Sequence, residues 1–538
     1  MPRLLAAQTW QWAEAPAPSA IPGLSLTALD AAGNLVVAGR FAGTLILGSD
    51  TLRTPGDRDV FVARRSPSGQ WLRAYQAGGP GHEAPAGLAL DAAGNIIIAG
   101  TFSNASSTTF GPFTLPNAGQ PNTPDLFVAR LSPAGQWTQA VRAGGSGAET
   151  IAGLALDASG NAVVAGSFGL DNSPAVFGSF SLASNGAEDV FVARLNAAGQ
   201  WTQAVSGGGS GSKVVRGLHV DAAGTATVLG AFNSPSIAFG AITLTSLPPL
   251  SGFSFQYDVF VARLNAAGQW TQAVRGGGSG SESPLALAVD AGGTATVAGS
   301  YQAPSSTFGA TTLTTTGLAD VFVARLSPAG VWTQAAGGGS TNDDNALAVA
   351  VDGNGNAFVA GSFRGPTASF GPATLPNAAP NTDDLFVARL NAAGQWTQAV
   401  GAGGPGVEYG FKVQLLPGGD LLLAGDYTGA AVFGSTTLPM PGMFSAGFLA
   451  RLSGQALPAR SGQPALGLAP NPAHTTAHLT LAAATTPRTL LLLDAYGRTV
   501  RQQPVAAGAT SATLGVQGLA PGFYLVRCGD ANSRLLVE

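Results

Sequence analysis

Three short sequence strings recur along most of this chain, and their number and spacing constrain the fold more than any other feature. The first, Asp-x-Phe-Val-Ala-Arg, occurs six times with successive copies 62 to 69 residues apart, and a degraded seventh copy begins at Ala446. The intact copies begin at Asp59, Asp125, Asp189, Asp258, Asp320 and Asp384. Strings of the types Asp-Ala-Ala-Gly-Asn and Phe-Gly-x-x-Thr-Leu also count seven each. Such a period indicates a solenoid or a propeller, in which each repeat is one supersecondary unit.

Each repeat is predicted to contribute four short β-strands. Runs such as 161–168 and 190–194 are apolar on successive residues, which indicates strands buried on both faces. The glycine-containing strings between the runs supply hairpin turns. The Phe-Gly-x-x-Thr-Leu string lies in the long connection between the second and third strands and predicts a small outer hairpin. Six tryptophans occupy one repeated strand position, and core packing explains them better than a sugar-binding platform does.

The two ends of the repeat region are complementary half-units. The last repeat stops after residues 448–451 and lacks its tryptophan strand, whereas the chain begins with an orphan tryptophan strand at 9–13. An open solenoid does not need complementary half-units at its two ends; it needs terminal capping repeats with a polar outer face. We therefore predict an all-β fold: a seven-bladed β-propeller of four-stranded blades, closed by the N-terminal strand.

These repeats resemble the SBBP family of β-propeller repeats, whose pattern combines a Gly-Asn hairpin, Asp-x-Phe-Val and a Gly-Gly loop. The resemblance covers residues 9–452. It implies a propeller and implies no reaction.

The C-terminal region reads as a separate small β-domain. Short apolar runs with turn residues every eight to twelve positions favour an immunoglobulin-like β-sandwich. The segment resembles the C-terminal (type A) sorting domain of the type IX secretion system. The residues that match are Pro470, Asn471, Pro472, Asp494, Gly497, Arg498, Gly522 and Tyr524. The resemblance implies recognition by that secretion machinery and a location outside the cell or on the outer surface of a Gram-negative bacterium. A plain accessory sandwich is the alternative.

These features divide the chain into four segments. We interpret residues 1–8 as the remnant of an export signal, 9–452 as the propeller, 453–468 as a linker rich in small residues and proline, and 469–538 as the sorting domain. Cys528 is the single cysteine, so an internal disulfide cannot form.

Composition excludes several classes of partner. Only 10% of the residues are charged, with 25 Lys and Arg against 29 Asp and Glu, so clustered basic residues for nucleic acid or anionic membrane are not expected. No apolar run is long enough for a transmembrane helix. We expect a monomer that needs no cofactor.

Acidic residues after the Gly-Gly loops are candidate ligand-binding residues. They are Glu83, Glu149, Glu282 and Glu408, with Lys213 and the pair Asp343 and Asp344 at the corresponding places elsewhere. They could ring one mouth of the channel and hold a cation or a basic ligand. Alternatively, each Glu accepts hydrogen bonds from its own loop. Lys213 would disrupt a symmetrical cation site, and we predict no metal site.

Two other features break the repeat. His219 replaces a small apolar residue on a first strand and is a candidate channel residue. The longest variable loop carries Phe253, Phe255 and Tyr257, which we predict as a contact surface. No catalytic constellation is recognised. The sequence favours a non-catalytic binding or structural module for an extracellular protein or glycan. The alternative is a glycan-acting hydrolase or lyase in which His219 and the acidic loops converge at the channel mouth.

Overall fold

The structure is a computed structural model. It describes residues 8–15, 24, 26–119, 122–170, 172–247, 256–302, 305–379, 381–441, 445–453, 467–481, 484, 486–493, 499–519, 521–528 and 531–537. These residues divide into two compact bodies, one within 7–454 and the other within 455–538.

The first body consists of seven repeated units, preceded by the strand β1 (Trp10–Glu14). Unit 1 contains β2 (Leu26–Leu29), β3 (Leu35–Phe41), β4 (Thr44–Leu47), β5 (Asp50–Arg53), β6 (Asp59–Arg65) and β7 (Trp71–Ala77). Unit 2 contains β8 (His82–Leu90), β9 (Ile96–Ser103), β10 (Ser107–Phe110), β11 (Phe113–Pro116), β12 (Asp125–Leu131) and β13 (Trp137–Ala143). Unit 3 contains β14 (Glu149–Leu156), β15 (Ala162–Phe168), β16 (Ala175–Phe177), β17 (Phe180–Leu182), β18 (Asp189–Leu195) and β19 (Trp201–Gly207).

The later units repeat this order. Unit 4 contains β20 (Lys213–Val220), β21 (Ala226–Phe232), β22 (Ser236–Phe239), β23 (Ile242–Thr245), β24 (Asp258–Leu264) and β25 (Trp270–Gly276). Unit 5 contains β26 (Glu282–Val289), β27 (Ala295–Gln302), β28 (Ser305–Phe308), β29 (Thr311–Thr314), β30 (Ala319–Leu326) and β31 (Trp332–Gly338). Unit 6 contains β32 (Asp344–Val351), β33 (Ala357–Phe363), β34 (Thr367–Phe370), β35 (Ala373–Pro376), β36 (Asp384–Leu390) and β37 (Trp396–Ala402). Unit 7 contains β38 (Glu408–Leu415), β39 (Leu421–Tyr427), β40 (Ala431–Phe433), β41 (Thr436–Leu438) and β42 (Ala446–Leu452).

Every unit has a four-stranded antiparallel sheet and a separate outer hairpin, which confirms both predictions for the repeat. The first, second, fifth and sixth strands form the sheet in that order, and the third and fourth strands form the hairpin. In unit 7 the place of the sixth strand is taken by β1, whose Ala13 lies opposite Ala450 of β42. The first strand of each unit is an edge strand, because it pairs with the second strand alone.

The turn strings are hairpin turns, as predicted. In the turn after β8, Asp91 Oδ1 accepts hydrogen bonds from the backbone N–H groups of Ala93 and Asn95 at 3.0 and 2.9 Å. Gly94 adopts a φ of 78°, which favours glycine. Asx-type bonding therefore accounts for the Asp of this string without a metal ion.

The core of the repeat region lies between the units. Seven apolar clusters each draw residues from two neighbouring units. One of them joins the two ends of the repeat series: Leu422 and Leu449 of unit 7 pack with Val37 and Phe61 of unit 1. Each fully buried side chain of this kind contributes about 1.5–3 kcal/mol, so the units stabilise one another rather than fold alone.

The tryptophans pack between units. The indole N–H of Trp201 donates to Arg142 O of the preceding unit at 3.1 Å, and Trp10 of β1 donates to Gly401 O of unit 6 at 2.9 Å. Trp10 also meets Phe433 edge to face at 5.0 Å, as the tryptophans of units 2 to 6 meet the phenylalanine of their own outer hairpin. Trp10 thus occupies in unit 7 the position that the sixth-strand tryptophan has elsewhere.

The second body is a pair of small sheets around one core. Its strands are β43 (Gly467–Ala469), β44 (Thr476–Thr480), β45 (Arg488–Leu493), β46 (Thr499–Val505), β47 (Ser511–Gly515), β48 (Gly522–Cys528) and β49 (Ala531–Val537). They form a three-stranded sheet, β43-β44-β47, and a four-stranded sheet, β46-β45-β48-β49. Leu479 and Leu514 of the first sheet and Leu492 and Val526 of the second belong to one apolar cluster.

Candidate functional site

Pairs of buried carboxyl groups lie at five of the junctions between units. In each pair, the Asp of the Asp-x-Phe string in one unit faces an acidic residue within the first two positions of the first strand of the next unit. The pairs are Asp59 with Glu83, Asp125 with Glu149, Asp258 with Glu282, Asp320 with Asp344, and Asp384 with Glu408. All ten side chains are 3% exposed or less. The four predicted glutamates therefore lie between units.

A glycine makes room for the pair at each of three junctions. A Cβ on Gly78, Gly144 or Gly277 would lie within 2.7 Å of both carboxyl groups of its junction. These glycines have φ values of 157°, 134° and 141°, which other residues rarely adopt. The Gly-Gly loops of the sequence thus let two carboxyl groups meet at a point that a side chain would otherwise occupy.

In two of the pairs, at Asp125 and at Glu282, one carboxyl oxygen of the residue has no donor among the described residues. Asp125 Oδ2 accepts from Ala118 N at 2.7 Å and from Arg142 Nη1 at 2.9 Å, whereas its Oδ1 has no hydrogen-bond partner among the described residues. Gly278 N donates to Glu282 Oε1 at 3.1 Å, and Glu282 Oε2 has no partner within the same part of the chain. Glu83, Glu149 and Glu282 each accept a hydrogen bond from their own loop, which was one of the two interpretations of the sequence. A proton on one facing oxygen would bond the other.

Burial changes the acidity of these groups. Desolvation, reinforced by Asp258, raises the pKa of Glu282 to about 8. Desolvation likewise raises the pKa of Asp59 and that of Glu83 to about 7, and the pKa of Glu408 to about 8 with a contribution from Asp384. Glu282 and Glu408 consequently hold a proton at neutral pH, and Asp59 and Glu83 are partly protonated there, because two adjacent buried carboxylates cannot both ionise cheaply.

Two junctions depart from this pattern. Between units 3 and 4, Lys213 replaces the glutamate, and its Nζ forms an ion pair with Asp189 Oδ1 at 3.2 Å while both side chains are 1% exposed or less. Between units 7 and 1, Ala446 replaces the aspartate, and Leu24 packs against the neighbouring Gly447. An ion pair therefore replaces the carboxyl pair at the first of these junctions, and an apolar contact replaces it at the second.

A central cavity is lined by the first strands of all seven units. Its volume is about 260 Å³, and its lining comes from β2, β8, β14, β20, β26, β32 and β38. Six of these strands have a β-bulge at the same place, for instance between Pro85 and Gly87 of β8. The bulge residue and the two residues after it line the cavity in each of those units.

Two cations stand out in this lining. Arg216 is the bulge residue of β20, where the other units carry Ala86, Ala152, Leu285, Leu347 and Phe411. Lys412 of β38 occupies a position that is glycine or alanine in units 2 to 6. Burial lowers the pKa of Lys412. No Asp or Glu occurs among the described lining residues, and neither cation has a hydrogen-bond or ion-pair partner within the described part of the chain.

Sequence reasoning missed Arg216 and Lys412. The signal that could have found them was present, because both break the aligned first-strand pattern as His219 does. They were overlooked because the bulge that places them in the cavity lining depends on strand pairing.

His219 lies apart from the predicted acidic residues that follow the Gly-Gly loops. It lines a pocket of about 560 Å³ with Asp221, Arg263 and Asp290, and desolvation lowers its pKa against the influence of Asp221. Six residues of extended strand, roughly 20 Å, separate it from Lys213 at the start of β20. A similar pocket lies between units 2 and 3 and contains no histidine. A pocket at this place is therefore a feature of the repeated architecture and does not depend on His219.

The aromatic loop is described only in part. Phe253 and Phe255 lie outside the described residues. Tyr257 is half-buried, and its backbone carbonyl accepts a hydrogen bond from Glu282 N at 2.8 Å, as Arg58 O accepts one from Glu83 N at 2.9 Å. The role of this loop as a contact surface stays a prediction.

In the described part of the chain, no group of three or more His, Cys, Asp or Glu side chains could hold a metal ion. Among the same residues, no helix is long and apolar enough to span a bilayer.

The sorting motif is tied to the last strand of the second body. Asn471 Oδ1 accepts a hydrogen bond from Leu536 N at 2.8 Å, while Pro470 and Pro472 on either side are exposed. Gly522 begins β48, and Tyr524 packs against the core of the two sheets. Asp494, Gly497 and Arg498 lie outside the described residues.

Comparison with known proteins identifies this second body. Residues 468–537 match the family described as the secretion system C-terminal sorting domain. A comparison of the chain with curated proteins gives no match. The chain therefore carries a type IX C-terminal sorting domain, which directs it to the cell surface or the exterior of a Gram-negative bacterium.

Proposed function

We propose that this protein is an exported, non-catalytic β-propeller that binds an extracellular protein or glycan. The observation that carries the proposal is the pairing of a sorting domain with seven repeated sheets whose first strands surround one cavity. Sorting domains deliver cargo, so the repeat region is the part that acts outside the cell.

The proposed ring closes between units 7 and 1. Support comes from β1 in the sheet of unit 7, from the apolar cluster that units 7 and 1 share, and from two polar contacts between them. Thr27 donates to Gln414 Oε1 at 3.0 Å, and Arg65 of unit 1 forms an ion pair with Glu14 of β1 at 2.7 Å. In this proposal the repeats are of the SBBP type, residues 9–452 form the propeller, and 469–538 form an immunoglobulin-like sandwich.

A binding role agrees better with the geometry than hydrolysis does. Acid–base work on a glycan needs groups within hydrogen-bond reach of one substrate atom. His219 lies a strand length from the junction residue of its own unit, and the acidic residues are buried between units. The hydrolase or lyase alternative required His219 and the acidic loops to converge at the channel mouth, and these positions do not support that convergence.

Export is tested by deleting residues 469–538 in a host that has the type IX machinery. We expect the truncated protein to disappear from the medium and the cell surface, while the control Ile46→Ser, at a side chain 59% exposed in the repeats, is exported normally. Unchanged export of the truncated protein would contradict the proposal.

Binding is tested with the purified full chain on a glycan array and against extracellular proteins. We expect saturable binding to one class of ligand and no turnover of that ligand. Turnover of a bound glycan would refute a non-catalytic role, and absence of binding in both assays would refute the binding role.

A further inference from the structure

The central cavity contains two unpaired cations in a lining that is otherwise uncharged among the described residues. The charged groups at the junctions have compensation nearby: burial raises the pKa of Glu282 so that it holds a proton, arginines form ion pairs with Asp125 and Asp258, and Lys213 pairs with Asp189. Arg216, which is exposed, and Lys412, which is half-buried, have no ion-pair or hydrogen-bond partner within the described part of the chain. A half-buried ammonium group without a counter-charge is costly, and an anion that enters the cavity would remove that cost.

The backbone of the cavity wall adds donors. The seven lining strands are edge strands, so one side of each presents N–H and C=O groups that no neighbouring strand takes up. Gly217, which follows Arg216, brings the wall close to the next unit: a Cβ on it would lie 2.9 Å from Leu287 Cβ.

The positions of the two cations indicate a specific site. They belong to units 4 and 7, and each replaces a small or apolar residue that most other units carry. The small or apolar residue found in the other units satisfies the packing at these positions, so packing does not require a cation there. The cations are therefore additions to the fold rather than requirements of it.

We propose that the central cavity binds a small solute through an oxyanion group, a carboxylate, sulfate or phosphate, which Arg216 and Lys412 both contact. A volume of about 260 Å³ is near the lower end of ligand pockets, so the solute is of monosaccharide size or smaller. Charge-assisted hydrogen bonds from both cations would provide most of the affinity. This inference rests on the proposed binding function and names its ligand chemistry.

The test is calorimetric titration of the full chain at low ionic strength with glucuronate, sulfate and phosphate, and with glucose as the uncharged probe. We expect at least one oxyanion to bind saturably and glucose to give no heat. The variants Lys412→Ala and Arg216→Leu restore residues found at these positions in other units. Each should weaken binding by about tenfold or more, because a hydrogen bond to a charged group is worth about 1.5 kcal/mol or more.

Two controls keep the result interpretable. Arg73→Ala removes a cation whose side chain is 66% exposed away from the cavity, and it should leave affinity unchanged. The exchange Lys412→Arg keeps the charge and should retain binding even if Lys412→Ala folds poorly. Failure of all three oxyanions to bind the wild-type chain would overturn the inference. So would wild-type affinity in a variant that carries both Lys412→Ala and Arg216→Leu. Binding of a neutral glycan or a protein would then still support the proposed function.

Discussion

The buried carboxyl pairs should make the repeat region more stable in mildly acidic solution than at pH 8. The pKa of Glu282 is about 8 in the folded protein against an ordinary value of 4.5. The folded state therefore binds more protons than the unfolded chain between these values, so its extra stability is complete below about pH 4.5 and is lost as the pH rises through 8. At 1.36 kcal/mol per pKa unit, Glu282 alone removes about 4 kcal/mol by pH 8.

Replacing the Glu282 carboxyl group with a neutral amide isolates its contribution to the pH dependence of the unfolding free energy. Glu282→Gln keeps the shape of the side chain and the hydrogen bond from Gly278 N, but it cannot ionise. We expect the variant to match the wild type near pH 5 and to be about 4 kcal/mol more stable at pH 8. Urea unfolding followed by tryptophan fluorescence reports the repeat region, because all eight tryptophans lie between Trp10 and Trp396.

The matched control is Asp57→Asn, since the side chain of Asp57 is 60% exposed and lies outside the pairs. It should retain most of the wild-type dependence on pH, because Asp57 is the smallest of the causes that act on the pKa of Glu83 and is not among those that act on Glu282. The reasoning is refuted if the wild type is equally stable at pH 5 and pH 8, or if Glu282→Gln follows the wild-type curve at both.

Three further substitutions test the junctions and the end strand. Gly144→Ala brings a Cβ against two carboxyl groups at a φ of 134° and should lower the free energy of unfolding in urea by about 2–4 kcal/mol. The control Gly160→Ala, with a φ of 76° and no atom within 4 Å, should lower it by about 1–2 kcal/mol. Equal losses would contradict steric crowding of the Gly144 Cβ by the carboxyl pair. Lys213→Met leaves Asp189 buried without its cation and should cost about 3–5 kcal/mol at pH 7, so a smaller loss would mean that the pair is dispensable. Trp10→Ala removes the contact with Phe433 and should lower stability by about 3–5 kcal/mol in the same assay, which a value near zero would exclude.

The repeated features were predictable from the sequence because repetition averages out local ambiguity. Seven copies of each string established the number of units, the four strands of each sheet and the outer hairpins. The sorting domain was predictable for another reason: its Pro-Asn-Pro segment and final strand form a recognisable motif, and Asn471 binds the backbone of that strand.

The chemistry of the junctions was harder to predict. Glu149 and Asp125 are 24 positions apart in different units, and only the packing of one unit on the next brings them to the same glycine. No feature of the sequence indicated that these two residues pair, so a ring of acidic residues at the channel mouth remained one of the interpretations. Arg216 required a further step, since a bulge in β20 determines that it lines the cavity.

Closure of the repeats into a ring is the central claim, and a disulfide across β1 and β42 tests it most directly. Ala13 and Ala450 lie opposite each other, and opposite residues of antiparallel strands are about 4.5–5.5 Å apart, which suits a disulfide. The variant carries Ala13→Cys and Ala450→Cys, together with Cys528→Ser, which removes the native thiol. For this variant we predict near-complete crosslinking under mild oxidation and a gain of about 5 kcal/mol in unfolding free energy. No crosslink in the folded protein, or one that forms only in urea, would contradict a ring closed by the N-terminal strand.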